Sequence, residues 1–326
     1  MRGHNKKIAL ISFMAMVCVV WWHCFCGSQI ERWFVPSFCV WSVPWFFFVS
    51  GVMFRRTVEL KSYRKILSSK VRSLLIPYIV WCGIGSIITM ATNGGGGGVL
   101  DAFALSRTRI LPWGNFALWY VRSLLIFMVI TLLSNFVNER LLAKAWYIGL
   151  IMPLVLILLT ARYLVNLGPL SSGFYFVIGL AMSKKILGYE VQNMRKSIII
   201  GVCFMLAAAV FRMEWFLIGY DFVNGGGTLL ANASVVLLFI GIWYLTDLVP
   251  SKFVDCRILQ ELFPLAAFVY FMHYPINNFI KHYLHIQNLD LKFTLLCVCA
   301  PILYLALAWT IRKYLYRVYS VLSGGR

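Results

Sequence analysis

Trp41-Ser-Val-Pro-Trp-Phe-Phe-Phe-Val-Ser-Gly-Val-Met-Phe54 is an apolar stretch with a Ser-Gly pair at Ser50 and Gly51. It runs directly into the most positive segment of the chain. That segment carries Arg55, Arg56, Lys61, Arg64, Lys65, Lys70 and Arg72 against a single acid, Glu59. The next apolar run starts at once, through Leu74-Leu-Ile-Pro77-Tyr78. A loop this basic between two apolar runs marks the inner face of a membrane protein. It also supplies cations able to grip an anionic, phosphate-bearing donor at the membrane surface.

The composition extends this reading to the whole chain. Of 326 residues, 61% are hydrophobic and the mean hydropathy is +0.81, against about 45–50% apolar in a soluble domain. The expected fold is therefore all-α, a polytopic membrane helix bundle forming one domain over 1–326. The formal charge of +19 does not point to nucleic acid, because the cations sit in short loops between apolar runs. The nine cysteines are odd in number and mostly lie within those runs. Cys24-Phe-Cys26 and Cys297-Val-Cys299 lack the two-residue gap of zinc or redox motifs, so neither a metal centre nor a disulfide framework is expected. The basic start and the apolar run to Phe25 lack a small-x-small cleavage site, so the run is read as an uncleaved first span.

Ten runs approach the spanning length of about 20 residues: 8–26, 38–54, 74–92, 117–137, 146–161, 172–187, 197–212, 229–246, 264–281 and 293–311. With the N-terminus inside, 22 Lys and Arg fall on the inner side and 7 on the outer, with Arg122 left within a run. That asymmetry predicts ten transmembrane helices with both termini cytoplasmic. Two outer segments are glycine-rich, at Gly94–Gly98 and Gly225–Gly227. They read either as pliant connectors or as a lid over an outward-facing site. No internal repeat stands out, which counts against a secondary transporter.

No Asp or Glu falls well inside a predicted span, so an acid-lined ion pathway is disfavoured. The remaining polar groups are few. His23 ends the first run, where an imidazole can take and return a proton; the other reading is a structural interfacial histidine. Cys24 follows it, but adjacent helix residues point about 100° apart, so the two do not face each other. Arg122 either snorkels outward or orients a polar group beside His23. Ser50 and Gly51 read either as a close helix contact or as a polar path to substrate. Lys70 and Arg72 read as membrane-side anchors or as a grip on donor phosphates. His273 precedes Pro275, which would kink its helix and free carbonyls near the imidazole.

In order and spacing these places resemble the acyltransferase-3 family of membrane proteins. The resemblance rests on His23 after a basic start, on Val43-Pro-Trp-Phe-Phe-Phe-Val-Ser-Gly51, on Lys70…Pro77-Tyr78…Trp81, and on Leu118-Trp-Tyr-Val-Arg122 with Tyr270-Phe-Met-His273-Tyr-Pro275. It implies a cytoplasmic acyl-CoA donor, such as acetyl-CoA, used as substrate with no bound cofactor. It also implies an outward hydroxyl acceptor on a glycan or lipid-linked saccharide, within the lipids of a bacterial inner membrane. His23, Arg122 and His273 would then carry the chemistry. Ser50, Lys70, Arg72, Tyr78, Trp119 and Tyr270 would contact substrate. Ser12 stands where the family usually has an Arg, and Ser73 where a second basic residue is common. Lys6 or Lys7 is the nearest cation to replace that Arg. The rival from another class is a non-enzymatic carrier of a lipid-linked sugar or small solute. A catalytically impaired relative is a third reading.

Overall fold

The computed structural model describes residues 3–92, 115–141, 171–189, 193–217 and 229–325. Every regular element among them is a helix. The principal helices are α1 (Gly3–His23), α2 (Gln29–Phe38), α3 (Ser42–Leu60), α4 (Tyr63–Lys70), α5 (Ile76–Thr92), α6 (Trp119–Leu141), α7 (Ser171–Leu187), α8 (Met194–Leu217) and α9 (Leu229–Leu245). Two short helices, α10 (Ser251–Val254) and α11 (Arg257–Leu262), lead into α12 (Ala266–Tyr283), α13 (Leu289–Tyr314) and α14 (Tyr316–Ser323). Among the described residues, six stretches are long and apolar enough to cross a membrane: Lys6–His23, Gln29–Leu60, Tyr63–Thr92, Trp119–Phe136, Met194–Arg212 and Leu289–Tyr314. Of the remaining expected spans, 146–161 lies outside the described residues, as do both glycine-rich segments. Helices α7, α9 and α12 occupy the other three expected runs but fall short of those six in length or apolar character.

Two segments expected to be loops are helical. Residues 29–38 form α2 because Ser28 caps it: Ser28 Oγ accepts from the Glu31 N–H at 3.0 Å. The Glu31 carboxylate reaches back to the N–H groups of Cys26 and Gly27 at 2.7 and 3.1 Å. This is capping-box chemistry, with a Ser and a Glu three residues apart. The basic 55–72 segment is also mostly helical. Helix α3 continues to Leu60, supported by the Arg55–Glu59 pair one turn apart, and breaks only at Lys61-Ser62 before α4 begins.

The tightest helix contact joins α3 to α7. A Cβ on Gly51 would land on the Phe176 carbonyl, and one on Gly179 would land on the Phe48 carbonyl. Ser183 Oγ donates to the Val52 carbonyl at 2.8 Å in the same seam. Small residues let the two backbones touch where apolar lipid gives no other driving force. Of the two readings of Ser50-Gly51, the close contact therefore belongs to Gly51. Replacing Gly179 with Val is expected to force α3 and α7 apart, costing about 1–3 kcal/mol or more. A lower melting temperature in detergent, with less protein surviving purification, would report it; an unchanged melt would mean the seam is not tight.

Contacts also order the two ends of the bundle. Lys6 pairs with Asp255 and Lys7 with Asp247, while Tyr319 of α14 donates to the Pro264 carbonyl. The start of α1 and the C-terminal helix therefore meet the same 247–264 stretch. At the opposite end, residues 23–31 meet residues 277–292 through Asn277, Lys281 and Asp290.

Asp247 lies one residue past the apolar run 229–246. Its side chain is 1% exposed, and that of Lys7 is 11%. One carboxylate oxygen accepts from Lys7 Nζ at 2.5 Å. The other accepts from Tyr189 Oη at 2.7 Å and Ser197 Oγ at 2.8 Å. The Lys7 ammonium also lies 4.2 Å from the Trp243 ring centre and 4.5 Å from that of Tyr189. A buried pair satisfied this fully can hold α1, α8 and α9 in register.

Candidate active site

His23 is the last residue of α1, so its carbonyl has no helical donor ahead of it. Helix α12 supplies donors instead. Asn277 Nδ2 donates to the His23 carbonyl at 2.5 Å and Lys281 Nζ at 3.3 Å. Asn277 is fully buried and is itself fixed by Tyr304 of α13, whose hydroxyl donates to Asn277 Oδ1 at 3.2 Å. The backbone at His23 is therefore held from two helices while its imidazole, half-buried, remains unused by these bonds.

That imidazole lies against α12. Its ring centre is 5.0 Å from His273 and 5.2 Å from Tyr274. His273 is fully buried. Its Nδ1 lies 2.6 Å from the Tyr270 carbonyl; a carbonyl only accepts, so Nδ1 carries the hydrogen. The opposite nitrogen, Nε2, is then a bare lone pair, and it is buried without a hydrogen-bond partner among the described residues. His273 thus presents a buried acceptor beside the His23 ring, with no hydrogen bond between the two imidazoles. The Cys24 thiol is turned back on its own helix and donates to the Val20 carbonyl at 3.3 Å.

Pro275 does not end α12, which runs through it to Tyr283. The proline removes the N–H that would meet the Phe271 carbonyl four residues earlier. Asn115 takes that place, donating from Nδ2 at 3.0 Å. The same substitution occurs on α13. Pro301 leaves the Cys297 carbonyl without its helical donor, and the Trp21 indole supplies one at 2.8 Å. Proline thus ties both α6's entry and α1 to the bundle close to His23.

A seam of hydroxyls and rings leads inward from His273. Tyr270 lies 5.6 Å from His273 and 5.4 Å from Tyr120, centre to centre, and its hydroxyl donates to the Ala117 carbonyl at 2.8 Å. Tyr120 Oη and Ser50 Oγ are 3.0 Å apart, and Tyr120 also donates to the Phe46 carbonyl at 3.2 Å. Trp119 stands beside Phe47, 6.0 Å between ring centres. Arg122 is buried on α6, and its charge reaches Tyr78 and Cys82 on α5. Ser12 accepts from the Trp45 indole at 3.1 Å.

The basic segment forms a separate feature. Arg64, Lys65 and Arg72 line an open cleft of about 770 Å³ together with serines and the C-terminal residues. Arg72 lies in a five-residue π turn, Val71–Leu75, a local widening frequent at functional sites. Lys70 does not line the cleft; its ammonium lies 5.7 Å from the Phe54 ring centre. Lys6 and Lys7 are engaged with Asp255 and Asp247. The structure thus groups His23, His273 and Tyr270 directly, links Ser50 to them through Tyr120, and sets Arg72 apart in the cleft.

Sequence reasoning missed Asn277, Lys281, Tyr274, Tyr304 and Asn115. One signal was present: His273, Asn277 and Lys281 recur every four residues, which places them on one face of a helix.

A family model described as an acyltransferase domain, acyltransferase family 3, matches residues 6–313. No curated protein and no solved structure matches the chain.

Proposed function

Because the chain belongs to this acyltransferase family, we propose that it is a membrane O-acyltransferase that moves an acetyl group from cytoplasmic acetyl-CoA to a hydroxyl of an envelope or exported polysaccharide. The observation that carries this reading is the His23–His273 pair, with its rings 5.0 Å apart and one buried nitrogen left as an acceptor. The basic cleft at Arg64–Arg72 is the second feature the reaction needs.

In this reading His23 accepts the proton of the acceptor hydroxyl as its oxygen attacks the thioester carbonyl. The C–O bond forms and the carbonyl electrons move onto oxygen. Arg122 is the cation proposed to steady that developing charge. Collapse breaks the C–S bond, and the departing thiolate takes the proton from His23, leaving the ester and free CoA. His273 packs against the imidazole and limits its orientation. Arg72 and its neighbours grip the donor's phosphates, while Ser50, Tyr78, Trp119 and Tyr270 border the path of the acyl arm. Lys70, over Phe54, contributes charge at the mouth. Both chain ends lie in the cytoplasm of a bacterium, and the chain sits in its inner membrane.

Mass spectrometry of surface polysaccharides from cells with and without the gene tests the reading. The expected result is a loss of one acetyl group per repeat when the gene is absent. Identical spectra, alongside unchanged acetyl-CoA consumption by membranes, would overturn it.

A further inference from the structure

The last helix lies beyond the family match, which ends at residue 313, yet it is firmly built into the protein. Tyr319 is fully buried, stacks on Phe268 with ring centres 5.1 Å apart, and donates its hydroxyl to the Pro264 carbonyl at 3.1 Å. The Trp81 indole donates to the Leu322 carbonyl at 3.0 Å. Helix α14 is therefore held by both α5 and the α12 entry. After it the chain turns at Gly324, whose φ is +74°, a left-handed conformation open to glycine. The Gly325 N–H closes the turn onto the Ser320 carbonyl at 2.7 Å.

What this turn meets is the π turn bearing Arg72. A Cβ on Gly324 would collide with the carbonyl, C and Cα of Ser73, so backbone lies directly on backbone. Pro77 explains why the chain widens there. It lacks the N–H that an α-helix would offer the Ser73 carbonyl, and Ile76 N–H bonds five residues back to Val71. Ser320, Val321, Gly324 and Gly325 then face Arg64, Lys65 and Arg72 across the cleft, and among the described residues no acidic side chain lines it.

We propose that the C-terminal segment Tyr316–Gly325 is the second wall of the donor site: it braces the turn carrying Arg72 and shapes the cleft for a ligand bearing several phosphates, as a nucleotide thioester does. The proposal rests on the acyl-CoA reading above. An anionic lipid headgroup shares the phosphate chemistry and is the competing occupant at a membrane surface.

The test is CoA binding, by calorimetry, to the full-length protein in nanodiscs of neutral lipid and of lipid containing phosphatidylglycerol. Variants are Arg72→Ala, Gly324→Val, Ser320→Trp and a chain ending at Leu315, each checked for a wild-type melt. Gly324→Val lifts the turn off Ser73, whereas Ser320→Trp fills the cleft and leaves the docking bonds intact. Weakening on the order of tenfold or more, as loss of charge-assisted contacts gives, is expected for Arg72→Ala and for both point variants in the segment. The donor KM should rise with the acceptor KM unchanged. If Arg72→Ala weakens binding while Gly324→Val and Ser320→Trp bind as wild type, the C-terminal wall is wrong and the donor reading stands. If wild type itself does not bind CoA in neutral lipid, both fall. If phosphatidylglycerol abolishes binding and excess CoA cannot restore it, the cleft belongs to lipid and both fall again. Should the shortened chain fail to fold, the two point variants decide the matter.

Discussion

His23→Ala is expected to lower acyl transfer by about 10²–10⁴-fold, the range for losing a positioned general base, while the protein still folds and inserts. The two outcomes separate because the bonds that anchor this position use its backbone. Asn277 and Lys281 hold the His23 carbonyl, and alanine keeps that carbonyl. What disappears is the imidazole facing His273 and Tyr274. The readout is acetylated product formed from labelled acetyl-CoA by purified protein, beside a melt that matches wild type. Full activity in the variant would remove His23 as the base. His273→Ala is the informative companion. It leaves a hole among buried residues, so it should reduce both stability and rate, whereas His23→Ala should reduce the rate alone.

Asp247→Ala should be the most damaging change away from the histidines. Removing one partner of a buried pair costs about 3–5 kcal/mol, because the other charge is left without compensation. Here Lys7 would lose its carboxylate, and Tyr189 and Ser197 would lose their acceptor in the same step. Thermal unfolding in detergent should show a clear fall in midpoint. A Lys7→Met, Asp247→Leu double variant removes both charges and should recover much of the loss, since two apolar groups can replace a buried pair. A double variant no better than the single would mean that the hydroxyl partners, not the ion pair, hold α1, α8 and α9 together.

Several features of the site were legible in the chain and several were not, for identifiable reasons. Pro275 signals a freed carbonyl at Phe271, but nothing local says that Asn115, 156 residues away in sequence, fills it. The same holds for Pro301: the Cys297 carbonyl it frees takes its donor from Trp21, 276 residues away from Cys297. Glu31 and Asp247 lie between the apolar runs, yet both side chains are largely buried. The Glu31 carboxylate turns back onto the N–H groups of Cys26 and Gly27, and Asp247 meets a lysine from the first helix. Conversely, Ser28 and Glu31 do carry a helix-start signature, and the basic run at 55–72 hid a helix because charge masks periodicity.

From residues alone came the helical membrane class, the basic mouth, His23 and His273 as the imidazoles to watch, and the family. These follow from composition, spacing and local backbone chemistry, which act over one or two helical turns. Only the folded chain put His23 beside His273, gave their helices Asn277 and Lys281 as clasps, separated Lys70 from the cleft and closed that cleft with the C-terminal turn. Such pairings depend on which helix faces meet. Packing between segments hundreds of residues apart settles that, because lipid solvates every apolar face equally and leaves close backbone contact and scarce polar bonds to choose among them.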